Sequence, residues 1–245
     1  LDWDETMLAL AKVRLNAPAG VEVKLVHSDY RGLPAEMERL DWEADGILLD
    51  LGLNSAQIED SERGIAFKED GPLDMRMDRS VGEPASAMLN RMSLDQIEHI
   101  LWNFGDEKWA RAIARKIVER RKEKPLRTTQ DLVDCVLAAI PVRARDKRIH
   151  AATRTFQAVR IAVNEELEGL DETIAEIGRC LKPGGVLAVL SYHSGEDRAA
   201  KHAMRELSDE GFEELYKKPA QPSAEEIVRN PRSRSAKLRA IRRTS

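Results

Sequence analysis

Cysteine is scarce in this chain: its 245 residues contain two, Cys135 and Cys180, each inside an apolar, helix-like pattern. That excludes a disulfide framework and a cysteine-based zinc site, and it fits a reducing, cytoplasmic setting. No apolar run approaches the ~20 residues that a membrane-spanning helix needs, so no membrane partner is expected. No secretory leader is visible. Internal repeats and low-complexity tracts are absent too, which leaves no ground for a repeat architecture. Gly, Pro and Ser are scattered, except over 217–223, which reads as a surface loop.

What is present fits a globular protein with a large core. Hydrophobic residues make up 42% and charged residues 33% of the chain, as in soluble domains generally. The length allows one large domain or two modest ones. The net charge of −4 hides an uneven distribution. The first sixty-odd residues are acid-rich, whereas basic residues cluster at Lys108–Arg127, Arg143–Arg160 and Arg229–Arg243. Each cluster alone reads as a solvated helix face; together they point to a polyanion, nucleic acid above all.

Strand and helix patterns alternate at both ends. Met7, Leu10 and Ala11 share a helical face, Val21–His27 is β-like, and Ile47–Leu49 forms a buried strand ending on Asp50. Phe156, Val159, Val163, Leu167 and Leu170 mark one face of a long helix, and a second runs from about Asp171 to Leu181. Lys182-Pro183-Gly184-Gly185 reads as its stop. Val186–Tyr192 then reads as a strand buried on both faces, and Ala236–Arg243 as an edge strand. This alternation predicts a doubly wound α/β sheet. The middle is different. Ser93–Gln96 is a capping-box match, Ala110–Val118 has one apolar helical face, and Thr128 opens another helix. The expected organisation is an α/β domain over 1–70 and 151–245, with an all-helical lobe inserted at 71–150.

Ligands in open α/β sheets bind past the carboxyl ends of strands. Asp2, Tyr30 and Asp50 stand at three such ends, with a polar loop, Leu51–Gln57, after the third. An acidic residue at Asp2 suits the ribose hydroxyls of an adenosine cofactor, although Asp at a helix start is more often a cap. Tyr30 suits a stacked adenine. NAD, ATP and S-adenosylmethionine all remain open on these grounds, because the glycine-rich first turn that would decide is absent.

Longer motifs narrow the choice. D-G-I-L-L-D-L-G at 45–52, D-G-P-L-D-M-R-M-D at 70–78 and F-G-D-E-K-W-A-R-A-I-A at 104–114 are followed by A-T-R-T-F-Q-A-V-R-I-A-V-N at 152–164, H-S-G-E-D-R at 193–198 and N-P-R-S-R-S-A-K-L-R at 230–239. In this order they resemble the 16S ribosomal RNA (cytosine-N4)-methyltransferase family over nearly the whole chain. The resemblance implies a class I, Rossmann-like methyltransferase sheet, S-adenosyl-L-methionine as cofactor and small-subunit ribosomal RNA, or the 30S subunit, as partner. It implies cofactor contacts from Asp2, Tyr30 (where the family usually has Phe), Asp50 and Gln57. The inserted lobe would help to grip RNA. Asn54 stands for the usual Ser, Ala56 for Pro and Gly195 for Leu. The family's first strand and glycine-rich motif are expected upstream of Leu1, which is not a methionine.

Cytosine's amino nitrogen is a poor nucleophile, because its lone pair is delocalised into the ring. An acceptor for one N–H hydrogen would help, and a carboxylate, an amide oxygen such as that of Asn54, or a backbone carbonyl in the Asp50–Gln57 loop could serve. His193, just after a strand, is a second candidate for contact with the base or for proton uptake; capping the next helix is the competing role. Asp74 and Arg76 read equally as target-site wall or as a structural ion pair. Arg154, Arg160, Arg232, Arg234 and Lys237 are candidate RNA contacts. A homodimer is compatible with the sequence. Two rivals stand beside this reading: a catalytically inactive RNA-binding or ribosome-assembly module, and a DNA amino-methyltransferase of the same fold.

Overall fold

The computed structural model describes residues 1–244. In chain order the helices and strands begin with α1 (Glu5–Arg14), α2 (Leu33–Leu40), β1 (Ala44–Asp50), α3 (Ser55–Glu59), α4 (Ala85–Arg91), α5 (Leu94–Gly105), α6 (Ala110–Glu123) and α7 (Thr129–Ala139). They continue with α8 (Thr153–Val163), α9 (Leu170–Arg179), β2 (Leu181–Ser191), α10 (Ser194–Asp209), β3 (Phe212–Glu214), α11 (Ala224–Arg229) and β4 (Lys237–Arg243). The chain divides into two compact units, Leu1–Gly52 with Leu167–Ser245, and Leu53–Glu166.

The first unit is the α/β one. Its sheet has the order β1-β2-β4-β3, with β1 and β2 parallel and the remaining pairs antiparallel. α9 and α10 pack on one another and on the sheet. Gly178 allows this close approach, because a Cβ there would lie 2.6 Å from Leu207 Cδ1. The core joins Leu49 and Leu51 of the β1 end to Leu187 and Val189 of β2, Ile174 and Ile177 of α9, and Met204 and Leu207 of α10.

Several elements differ from the sequence reading, each for a local reason. β2 is buried on one face only: Leu187 and Val189 are covered, while Val186, Ala188 and Leu190 are half-exposed. It begins at Leu181, so Lys182–Gly185 lies within the strand, and α9 ends before it. The pairing with β1 shifts register between Ala44 and Gly46, which takes up those residues as an irregularity. β4 is not an edge strand, since it pairs with both β2 and β3. Val21–His27 forms no strand; a single parallel bridge joins Asp2 to His27, and Val21, Val23 and Leu25 are exposed. The long helix through Leu170 is interrupted. α8 stops at Val163, Glu165 takes a left-handed φ of 50°, and α9 starts afresh after Gly169 at φ 59°. Leu167 and Leu170 belong to the α/β core instead.

The second unit is helical, with no strand among its described residues. Its bounds take in 53–70 and 151–166 as well as 71–150. Leu89, Ile97, Leu101, Ile113, Ile117, Leu132, Val136 and Val159 form its centre. Reciprocal capping boxes open three helices, at Asn54–Gln57, Ser93–Gln96 and Thr128–Asp131. Each satisfies backbone donors that the first turn leaves unpaired. The D-G-P-L-D-M-R-M-D segment is fixed by Asn164, whose Nδ2 donates to Met75 O at 2.8 Å and whose Oδ1 accepts from Met77 N at 2.8 Å. That clamp holds buried Met75 at a φ of 66°, a strained conformation that persists only where its surroundings enforce it. Within the segment Arg76 pairs with Asp74 through Nε at 2.8 Å.

Gly105 closes α5 against α8, and a Cβ there would stand 2.7 Å from the Arg154 carbonyl oxygen and 3.0 Å from Ala158 Cβ. Backbone cannot yield as a side-chain tip can. Gly105→Ala is therefore expected to destabilise the helical unit by about 2 kcal/mol, in the range of overpacking. Urea unfolding would show it as a lowered midpoint; an unchanged midpoint would mean that α5 and α8 do not need this approach.

Candidate functional site at the strand ends

β1 and β2 run parallel, with Asp50 opposite Leu190, so their carboxyl ends open on the same edge of the sheet. Leu51 N donates to Leu190 O, and Gly52 then turns the chain at a φ of 85°. Asp50, the last residue of β1, is exposed. Tyr192, the first residue past β2, donates its phenolic hydroxyl to Asp50 Oδ1 at 2.8 Å. Burial, the bond to Asp50, and the negative charges of Asp50 and Glu196 push the Tyr192 phenol up to about 12.

Behind Tyr192 stands Glu196, a carboxylate only 2% exposed. Its Oε2 accepts from Tyr192 N at 2.7 Å and from His193 N at 3.3 Å. His193 caps α10: its Nδ1 accepts from Gly195 N at 3.2 Å and from Glu196 N at 3.4 Å. Because Nδ1 accepts, the ring hydrogen belongs on Nε2. Nε2 is buried, makes no hydrogen bond, and lies 3.2 Å from Glu196 Oε1 outside bonding geometry. The capping role is thus present, and Nε2 alone remains for other chemistry.

The remaining cofactor candidates of the α/β unit lie on its N-terminal segment. Asp2 sits in the bridge to His27, and its Oδ1 accepts from Asp4 N at 2.8 Å. The helix cap itself is Asp4, 3% exposed, which accepts from Thr6 N. Tyr30 opens a 3₁₀ turn capped by Asp29. Arg31 lies 5.4 Å over the Tyr30 ring and is held by Asp29 at 2.6 Å and by the Glu168 carbonyl at 3.0 Å. Tyr30 shares a cavity of about 420 Å³ with Leu33, Met37, Trp42 and Gly46–Leu49. This cavity runs along β1 rather than at its carboxyl end. It is a groove beside an edge strand, on which Leu48 is 64% exposed, and the strand-end cluster is the better chemical site.

Asn54 and Gln57 open the helical unit. Asn54 Oδ1 accepts from Gln57 N at 3.0 Å, and Gln57 Oε1 accepts from Asn54 N at 3.1 Å. The Asn54 oxygen has a second lone pair for another N–H. Among the basic candidates, Arg154 is exposed on the first turn of α8. Arg160 is committed to Glu166 through two bonds of 2.8 and 2.7 Å. Arg232 and Arg234 are exposed on a 3₁₀ turn. Lys237 is held by Asp197 at 2.7 Å, beside Arg239 at 2.8 Å.

Sequence reasoning missed Tyr192 and Glu196. The H-S-G-E-D-R run drew attention to their neighbours, but a tyrosine reaching a carboxylate 142 positions away depends on strand register.

A parallel strand pair within a mixed four-stranded sheet backed by helices is consistent with a Rossmann-like methyltransferase fold, and in open α/β sheets ligands bind past the carboxyl ends of such strands. The model of the MraW methylase family matches residues 1–244. The chain belongs to that family. Its relatives include proteins named ribosomal RNA small subunit methyltransferase H. The one from Geotalea uraniireducens is 43% identical over 256 aligned positions, covering 98% of this chain and 82% of the relative. That from Sorangium cellulosum is 44% identical, covering 99% and 76%. That from Trichlorobacter lovleyi is 47% identical, covering 80% and 68%. No helix among the described residues is long and apolar enough to cross a membrane.

Asp197 offers a pH test. Burial raises its carboxyl, but the bonds and charges of Lys237 and Arg239 outweigh burial and hold it below the usual carboxylate range. A depressed folded value stabilises above the unfolded one, and that contribution is lost as pH falls through the folded value. Asp197→Asn is expected to unfold at lower urea than the parent near neutrality, with the gap narrowing as pH drops below the carboxylate range. A gap independent of pH would show that the pair adds no charge-dependent stability.

Proposed function

We propose that this chain transfers the methyl group of S-adenosyl-L-methionine to the N4 amino group of a cytosine in small-subunit ribosomal RNA. The observation that carries the reading is agreement over almost the entire chain with relatives named for small-subunit ribosomal RNA methylation. The site chemistry supports it. Asp50 keeps Oδ2 without a partner among the described residues, at a strand end of the kind where ligands bind in open α/β sheets. When bound, the cofactor supplies an electrophilic methyl group.

The work of the protein is then mainly to align acceptor nitrogen and methyl group. Asp50 and Gln57 would hold the cofactor, with Asp2 at its ribose hydroxyls and Tyr30 at its adenine. Asn54 accepts an N–H hydrogen of the target base, which lets the nitrogen lone pair leave conjugation. His193 would meet the base through its Nε2–H as a donor, and it could take up the released proton only by giving up the Nδ1 cap of α10. The base must leave any stack to enter the site. Arg154, Arg232 and Arg234 are the exposed phosphate contacts. Arg160 and Lys237 would contribute only if RNA phosphate competed with Glu166 and Asp197. The same reading takes the 71–150 lobe as RNA-recognising, the 30S subunit as the particle modified, the cytoplasm as its location and a homodimer as its assembly.

Deleting the gene is expected to remove N4-methylcytosine from small-subunit ribosomal RNA, as read by mass spectrometry of nuclease digests, and the wild-type gene should restore it. Unchanged N4-methylcytosine would sink the reading. In purified protein Asp50→Ala is expected to slow methylation of 30S subunits about tenfold at limiting cofactor, the effect of losing one hydrogen bond to a charged group.

A further inference from the structure

We infer that Tyr192 is a positioning residue of the methyl-donor site: its hydroxyl fixes Asp50 Oδ1, leaving Oδ2 as one oriented acceptor for an N–H of the cofactor. The inference rests on the reading that Asp50 contacts the cofactor.

Asp50 ends β1 exposed, and among the described residues its side chain has no other hydrogen-bond partner. An unrestrained carboxylate there would have to be ordered on each binding event, at a cost in affinity. Tyr192 supplies the restraint, and it is itself rigid. Its amide is held by buried Glu196 at 2.7 Å. Gly52, at a φ of 85°, turns the chain over its ring: a Cβ at Gly52 would lie 3.7 Å from Tyr192 Cδ2 and 3.5 Å from Glu196 Oε1. The parallel register then sets the reach, because Asp50 stands opposite Leu190, two positions before Tyr192.

The chemistry distinguishes positioning from proton transfer. The phenol donates to a carboxylate and faces a second one, Glu196, so both neighbours oppose its ionisation. It stays protonated at neutral pH and cannot take a proton from the substrate amine. Its remaining capacity is to hold Asp50. A phenylalanine at 192 would retain the ring and remove the hydroxyl alone, so the substitution isolates this role.

The test is calorimetric binding of S-adenosylmethionine and of S-adenosylhomocysteine, which carry the same amines. Tyr192→Phe is expected to weaken both about fivefold, within the net range for one ordinary hydrogen bond, and to raise KM for the cofactor with kcat at saturation retained. In an Asp50→Ala background, Tyr192→Phe should have no further effect, since the two act as one unit. Tyrosine labelled with ¹³C at Cζ gives an independent readout: the Tyr192 resonance should titrate at lower pH in Asp50→Ala than in the parent. Wild-type affinity in Tyr192→Phe, additive losses in the double variant, or an unmoved Tyr192 titration would overturn the inference while leaving Asp50 as a cofactor contact. Wild-type affinity in Asp50→Ala would instead overturn the reading of Asp50, and this inference with it.

Discussion

The parallel ladder between Ala44–Asp50 and Leu181–Ser191 sets where the chemistry can happen. Each rung, from Gly46 opposite Val186 to Asp50 opposite Leu190, fixes the next, so the two strands end together. One strand delivers a carboxylate and the other a phenol, and the 2.8 Å bond between them follows from register. A slip of one residue would send Asp50 to the other face of the sheet, because side chains alternate along a strand. Leu49 and Val189 prevent it, since both must stay in the core against α9 and α10. The hydrophobic pattern of the sheet therefore aligns polar groups that contribute nothing to that pattern themselves.

Polar side chains near the strand ends serve the backbone first. Glu196 receives two amides, His193 receives two more, and Asn54 with Gln57 closes a third set. A buried carboxylate is tolerated at Glu196 because its Oε2 accepts two backbone amides. The basic residues show the same economy. Arg160, Lys237, Arg239 and Arg76 each face a carboxylate within 3 Å, so a basic cluster in sequence is not an equally basic surface. Arg154, Arg232 and Arg234 are the exposed members of those clusters that the RNA reading uses.

Much of this was legible before the fold was known. The apolar run Ile47–Leu49 placed β1 and Asp50, although only Leu49 of the three is buried because β1 pairs on one side alone; the S-x-x-Q pattern placed the start of α5 and Thr128 that of α7, because capping is local chemistry. The strand-end position of Asp50 and the long motifs carried the reading of family and function. What escaped depends on distant partners. Val21–His27 has strand composition, but β-propensity needs a neighbouring strand. β4 reads as an edge by its alternation, yet it lies between β2 and β3, and its Lys237 and Arg239 are neutralised by Asp197 on α10. The break after Val163 is set by Asn164, which reaches Met75 and Met77 far upstream. Tyr192 was invisible as a site residue for the same reason, since its partner is defined only by strand pairing.

The division of the chain has a kinetic meaning. The helical unit is one continuous stretch, Leu53–Glu166, in which α5 packs on α6 and on α8, and α6 on α7. The sheet unit is assembled from two segments on either side of it. Local helical contacts form quickly, whereas pairings between distant segments carry the entropy of closing a long loop. During synthesis Asp50 emerges well before its partner strand, and the helices that follow can collapse while β1 waits. The ligand edge of the sheet is then among the last parts of the molecule to form, and its assembly reports that the chain has been made at least as far as Tyr192.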